Sequence, residues 1–562
     1  MPLGPKGAQL ALIAWVLTPI SGAQAETSPV PQAVEQAAYT YITRATLEAP
    51  IRFLSSDLLE GRGPGTRGDE LARLYLQTQL EGSGYQPAFP NGSWQQPFDL
   101  IGIKSMIPPT WSFQAKGAQI ELKLRADYSA AGGLQTGGAS INNAELVFIG
   151  YGIQAPEYRW DDFKGVNVTG KVLVIMNNNP DWDPKLFAGK RRLYYGRWAY
   201  KYESAARAGA VGAIIIHTTA SAGYPWQVVQ DTSEYFELPA GNEPRLRLRA
   251  WMTAEAVRRV LKAGGYDLDK LIAAARSRDF KPVPLGIRTS IEVTNTLSTV
   301  RTANVGGILP GSDPQLAKEL VVLSAHHDHL GIGAPDASGD RIYHGAVDNA
   351  LGCSQVLAAA RALSGLPVRT RRTLLVLFVA AEEQQYLGSK YYAQHPSVPV
   401  GRIAADVNLE GAFDRDIFGR THDATLIGMG KSSLDEIAES VARSQGRTLR
   451  PDQFPDRGYF YRSDQFSFAR VGVPTLNFGE GTEVIGRPAD WGRQQVEAWE
   501  RHKYHQPADK LDDSWNFDGV IEDAQLAMLS TWLIAQAEAM PTWKPGDEFE
   551  AARKQASAEM GQ

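Results

Sequence analysis

Several short polar clusters follow apolar runs in the second half of this 562-residue sequence. Leu320 to Ala325 runs into His326-His327-Asp328-His329, Arg372 to Ala380 leads to Glu382-Glu383, and Ile403 to Leu409 ends at Glu410. Gly345-Ala-Val-Asp-Asn349 opens a helical stretch, and Tyr504-His505-Gln506-Pro507 adds a late imidazole. Carboxylates and imidazoles converging on one crevice are costly to bury unless a cation compensates them. Oxygen and nitrogen donors without thiolates suit Zn²⁺, and Mn²⁺ or Co²⁺ fit the same set. Two such ions about 3.5 to 4 Å apart need a bridging carboxylate, and they turn a water into a nucleophile at neutral pH. Taken singly, each cluster has a plainer reading. Glu382-Glu383 reads as a solvated helix start, the histidines as loop residues, and Asp348-Asn349 as a helix cap. Their shared position beyond buried strands favours a common site, because ligands of open α/β sheets bind at the carboxyl ends of the strands.

The elements that must position these groups alternate. Leu320 to Ala325, Arg372 to Ala380, Ile403 to Leu409 and Val473 to Phe478 read as buried strands. Asn349 caps a helix running to about Leu363, and Ile521 to Ala539 reads as a closing amphipathic helix. This pattern predicts an α/β three-layer sandwich with a mixed, largely parallel sheet. Upstream, Ala33 to Tyr41 and Asp69 to Leu80 read as helices, with a Gly- and Pro-rich loop from Leu58 to Gly68 between them. From about Ala144 the texture changes. Glu145 to Tyr151, Lys171 to Met176 and Val211 to His217 are short β-branched runs, and Tyr200 to Arg207 is helical, which makes a separate β/α unit ending near Pro282-Val-Pro284. Cys353 shares an apolar helical face with Val356, Leu357 and Ala360 and reads as a packing residue.

Composition removes other classes. The chain is 43% hydrophobic, with 57 Lys and Arg against 62 Asp and Glu, so it offers no block of charge for nucleic acid. Its length implies two or more domains, each with ample core. Residues 1–25 read as a signal peptide, with Lys6 in the basic region, Ala8 to Ile20 as the apolar stretch and Ala23-Gln24-Ala25 as the cleavage site. No other run is long and apolar enough to insert stably in a membrane. Export to the periplasm or outside the cell is therefore expected. A single Cys excludes an internal disulfide.

The motifs resemble the co-catalytic zinc peptidases, the family of bacterial leucyl aminopeptidases, glutamate carboxypeptidase II and the transferrin receptor ectodomain. The stretches that carry the likeness are Ser324 to Gly331, Gly345 to Gly352, Phe378 to Glu383 with Leu387-Gly-Ser389, Asn408-Leu-Glu410, and Tyr504 to Pro507. The Leu59 to Gly68 loop resembles the start of the catalytic domain. Residues 144–295, especially Gly150 to Tyr158 and Gly209 to Thr218, resemble an inserted protease-associated domain. The resemblance thus implies a catalytic domain from 26–143 and 296–545 and a C-terminal tail from 546–562. It implies two Zn²⁺ per chain, one on His326 and Glu410, the other on Glu383 and His505, with Asp348 as the bridge. Asp328 would orient His326, Glu382 would act as general base, and Tyr461 would stabilise the oxyanion. The Asp348-Asn349 peptide would be cis. Two positions depart from the common pattern: Glu410 stands where many relatives have Asp, and Gln465 where His is frequent. His327, His329 and His344 are left over and read as loop residues.

An aminopeptidase acting on peptides with a free N-terminus is the first expectation. A carboxypeptidase for acidic dipeptides is the alternative, and it needs arginines such as Arg415, Arg462 or Arg487 at the substrate carboxylate. A metal-free receptor predicts broken ligands, and all five are intact. The aromatic stretch Tyr194 to Tyr202 packs on its own sheet or forms a wall of the cleft.

Overall fold

The computed structural model describes residues 1, 4, 30–410 and 417–560. The expected signal peptide, apart from two isolated residues, and Arg415 lie outside the described residues. None of the described helices is long and apolar enough to cross a membrane.

The strand Leu320–His326 lies between Thr373–Val379 and Ile403–Leu409, parallel to both, and Thr475–Glu480 extends the parallel set beyond Ile403–Leu409. Antiparallel strands flank this core: Val283–Leu309 on the Thr373–Val379 side and Asp423–Leu426 on the other. Period-two alternation sends the side chains to two faces. Val321, Leu323, Ala325, Leu374 and Val376 pack with the helices Gly352–Ser364 and Phe517–Gln536, as well as with the N-terminal helices Gln32–Tyr41, Arg44–Leu54 and Arg67–Gly82. Leu320, Val322, Leu375 and Leu377 face the other way, onto Tyr392 and Phe468 from two shorter helices. Helices on both faces make the three-layer sandwich that the alternation predicts. Each fully buried aliphatic side chain contributes about 1.5 to 3 kcal/mol, so the central strands are rigid mounts for whatever follows them. Cys353 is buried in this packing, donates to the His326 carbonyl at 3.0 Å, and has its thiol pushed up to about 12 by burial.

The insert has its own parallel strands, Val172–Met176, Gly212–His217 and Leu248–Thr253. The 27-residue strand Val283–Leu309 ties the two units together. Up to Thr294 it pairs with Gly138–Phe148, and from Thr294 onward with Gln95–Met106. The expected start of the insert at 144 cuts through one core, because Trp111, Phe113, Leu122 and Tyr128 pack with Ile141, Val172, Ile214 and Met252. On packing, the unit begins near Ile107. Within the expected C-terminal tail, Glu550–Glu559 is helical, Phe549 is buried, and buried Arg553 donates to the Ile403 carbonyl at 2.9 Å.

Candidate metal centre

Asp348 sits between two imidazoles. Its Oδ1 lies 3.3 Å from His326 Nε2 and its Oδ2 lies 3.3 Å from His505 Nε2. Glu410 Oε1 is 3.1 Å from His326 Nε2, and Glu383 Oε2 is 3.1 Å from His505 Nε2. Ligands held about 2.0 to 2.1 Å from a tetrahedral zinc are about 3.3 Å from one another. The four distances therefore fit two ions that share Asp348, one oxygen each. The donor set, oxygen and imidazole nitrogen without thiolate, fits the same metal. Asp348, His326, Glu410 and Glu383 have side chains at most 3% exposed, whereas His505 is 35% exposed, so the centre opens to solvent on the His505 side.

Charge follows this geometry. Burial pulls the His326 imidazole down, but Glu410 and the bonds to Asp328 and Asp348 outweigh it and hold the ring well above its usual range. Burial likewise lowers His505, yet Glu383 and Asp348 keep it up at about 10. Burial and Asp348 push the Glu383 carboxyl up, and His505 and His329 override them to leave it near 2. The carboxylates that hold protons on these two imidazoles would hold a dication in their place.

The loops that carry these groups are pinned by residues far away in sequence. Arg62, fully buried, donates to the carbonyls of His327 at 2.8 Å, His344 at 2.8 Å and Gly345 at 3.0 Å, joining the Leu58 to Gly68 loop to two of the ligand loops. Asp69 meets His327 Nε2 at 3.0 Å and accepts from Thr302 at 2.8 Å. Asp509 accepts the backbone N–H of Val347 at 2.9 Å and of Asp348 at 3.1 Å, beside the Asp348-Asn349 peptide, which is cis. Asn349 Oδ1 accepts the N–H of Gly352, the first residue of the helix Gly352–Ser364, at 3.0 Å, but the N-cap position of that helix is Leu351 and not, as expected, Asn349.

Asp328 does more than face His326 Nδ1 at 3.6 Å. Its carboxylate accepts the backbone N–H of Glu382 at 3.0 Å and of Glu383 at 3.4 Å, so one buried side chain holds both glutamates. Glu382 stands outside both three-residue ligand groups. Burial, offset by His326 and reinforced by Glu410, Glu383 and Asp464, pushes its carboxyl well above the usual range. A carboxyl of that kind holds a proton more readily than an exposed one.

Other expected residues lie elsewhere. The Tyr461 hydroxyl donates to Glu548 at 2.6 Å and is thereby placed with Glu548, not with the carboxylates of the centre. His327, His329 and His344 lie in loops, as read from the sequence, but are buried there. His327 serves Asp69, His344 lies 3.2 Å from Asp340, and His329 faces Glu383. Gln465, the first residue of the helix Gln465–Arg470, accepts from Asn408 of a central strand at 3.1 Å and donates to the Phe460 carbonyl at 2.9 Å. Tyr194 of the insert packs on Phe466 at 4.7 Å and Tyr461 at 6.3 Å, so this aromatic stretch reaches beyond its own sheet. Arg487 stacks on Trp491 at 4.9 Å, while Arg462 donates to Tyr504, whose ring stacks on His505 at 3.9 Å.

Residues 304–529 match the model of peptidase family M28. A curated relative, leupeptin-inactivating enzyme 1 of Streptomyces exfoliatus, is 23% identical over 266 residues, which are 46% of this chain and 54% of the relative. The chain thus spans about half the length of that relative. Among solved structures, the aminopeptidase from Aneurinibacillus sp. strain AM-1 is 18% identical with a TM-score of 0.49, covering 90% of this chain and 97% of that one. The zinc aminopeptidase BSAP from Bacillus subtilis is 17% identical with a TM-score of 0.40, covering 89% and 94%. Both TM-scores lie below 0.5, so the roles of individual residues rest on the distances above.

Proposed function

We propose that this chain is a metallo-exopeptidase of the kind the peptidase family M28 model describes, and that it is an aminopeptidase working with two zinc ions. His326, Glu410 and Asp348 would hold one, and Glu383, His505 and Asp348 the other. The observation that carries this reading is the pair of imidazoles 3.3 Å from the two separate oxygens of Asp348. Bound zinc supplies Lewis acidity, polarising the scissile carbonyl and acidifying a water.

The protein side of the reaction falls to Glu382. Its carboxylate would take the proton of the attacking water and return it to the nitrogen of the leaving amine, so that the C–N bond breaks with a neutral leaving group. The high proton affinity that burial gives this group suits the second half of that cycle. Asp328 fixes the Glu382 and Glu383 backbone, and the Asp509 contacts fix that of Asp348. For Tyr461 to meet a developing oxyanion, its hydroxyl would have to leave Glu548. The aromatic packing of Tyr194 supports the insert as one wall of the cleft, and export follows from the reading of residues 1–25.

The carboxypeptidase reading retains one observation in its favour, the guanidinium of Arg462 beside Tyr504 at the rim of the site. A panel of aminoacyl substrates and N-blocked acidic dipeptides, assayed on zinc-loaded protein, separates the two. Turnover of the first class is expected; turnover confined to the second overturns the aminopeptidase assignment.

A further inference from the structure

The two glutamates of the centre each point one oxygen at an imidazole and leave the other to be held from behind. Glu410 presents Oε1 to His326, and its Oε2 accepts from the Ser463 hydroxyl. Glu383 presents Oε2 to His505, and its Oε1 lies 2.5 Å from His329 Nδ1. We propose that His329 is a positioning residue: its Nδ1–H donates to Glu383 Oε1 and so reserves Oε2 as the single ligand oxygen.

His329 and the ligands around it satisfy one test for coordination, since its Nδ1 falls in a group with Asp348 and Glu383. The distances argue for a different role. Two ligands on a tetrahedral zinc lie about 3.3 Å apart. His329 Nδ1 is 2.5 Å from Glu383 Oε1, a hydrogen-bond distance, and 4.0 Å from Asp348 Oδ2, too far for a shared edge. Both depart from the spacing that the other four pairs keep. The far side of the ring agrees: His329 Nε2 is buried and has no hydrogen-bond partner among the described residues. A buried N–H without an acceptor is the costlier arrangement, which favours the tautomer that carries its proton on Nδ1.

The ring has little freedom to do otherwise. Gly345, at φ 58°, makes room for it, because a Cβ there would come within 2.7 Å of His329 Cγ and Cδ2. The His329 backbone N–H is tied to the Arg62 carbonyl at 3.3 Å. Such outer partners of ligand carboxylates commonly set metal affinity by about 10- to 100-fold.

This inference rests on the two-zinc reading, and one set of measurements keeps the two apart. Zinc binding is followed by chelator competition for the wild type, His329→Ala and His329→Asn, and the number of imidazoles per zinc is read from X-ray absorption of the wild type. Two zinc ions and one imidazole per zinc are expected for the wild type. His329→Ala should weaken one zinc by about 10- to 100-fold and spare the other. His329→Asn, whose amide nitrogen replaces Nδ1–H, should recover most of that loss. Unchanged affinity in His329→Ala overturns the role, as does an average of three imidazoles per two zinc ions. A wild type unable to bind two zinc ions overturns the dinuclear reading itself.

Discussion

Removing the Asp328 carboxylate should loosen both halves of the centre at once. In Asp328→Ala the backbone N–H groups of Glu382 and Glu383, now paired at 3.0 and 3.4 Å, lose their acceptor in a buried region. Each unpaired buried group costs about 1 to 3 kcal/mol, so the metal-free protein should lose about 2 to 6 kcal/mol. Asp328→Asn keeps one acceptor oxygen and opposes an NH₂ to the other N–H, so about half of that loss should remain. Denaturant unfolding of the metal-free variants reads the stability term, and chelator competition reads zinc affinity. Because the same carboxylate steadies Glu383 and faces His326, Asp328→Ala should weaken both zinc sites, each by about 10- to 100-fold. If only one site weakened, and that the His326 site, Asp328 would be an imidazole-orienting residue alone and its hold on the glutamate pair would be of no consequence.

Glu382→Gln should retain both metals and bind substrate while kcat falls by about 10²- to 10⁴-fold, as steady-state kinetics on zinc-loaded protein would read; near-normal turnover would remove Glu382 from the reaction. Zinc affinity should rise with pH. His505 sits at about 10 without metal, so below that value the ring is protonated and zinc must displace the proton. Each proton so released strengthens binding by about tenfold per pH unit, which calorimetric titrations at about pH 6 and about pH 8 would show. The same raised value means that the charged ring stabilises the metal-free fold at neutral pH, a contribution lost as the pH climbs through about 10. Arg62→Met, which strips donors from the carbonyls of His327, His344 and Gly345, should lower the unfolding midpoint of the metal-free protein and weaken zinc binding without touching a ligand.

The parallel core and the candidate ligands at its ends were legible because apolar-rich runs such as Ile403 to Leu409, interrupted only by Asp406 and Asn408, lead straight to groups such as Glu410. That strand is found with the expected bounds. What the sequence hid works through long-range backbone contacts. Arg62 reaches carbonyls 265 to 283 positions away, and nothing local to it distinguishes a buried guanidinium from an exposed one. Asp509 left a trace, standing four positions after His505, but its target is the N–H of Asp348 on another loop. His329 reads as a loop residue because its partner, Glu383, follows a different strand. The packing of Trp111 to Leu122 with the insert was not legible because this stretch alternates with polar residues and resembles an exposed hairpin, although its apolar face enters the insert core. The C-terminal helix passed as a tail because its charged residues outnumber the few, Phe549 and Ala556, that anchor it.

Asp348 is proposed to join two metal sites, one oxygen to each. Elemental analysis of zinc-reconstituted protein tests it most directly, with Asp348→Ala beside the wild type. Two zinc ions per chain in the wild type and close to none in Asp348→Ala are expected. One zinc per chain in the wild type, or two retained after the substitution, would contradict a centre built on that carboxylate.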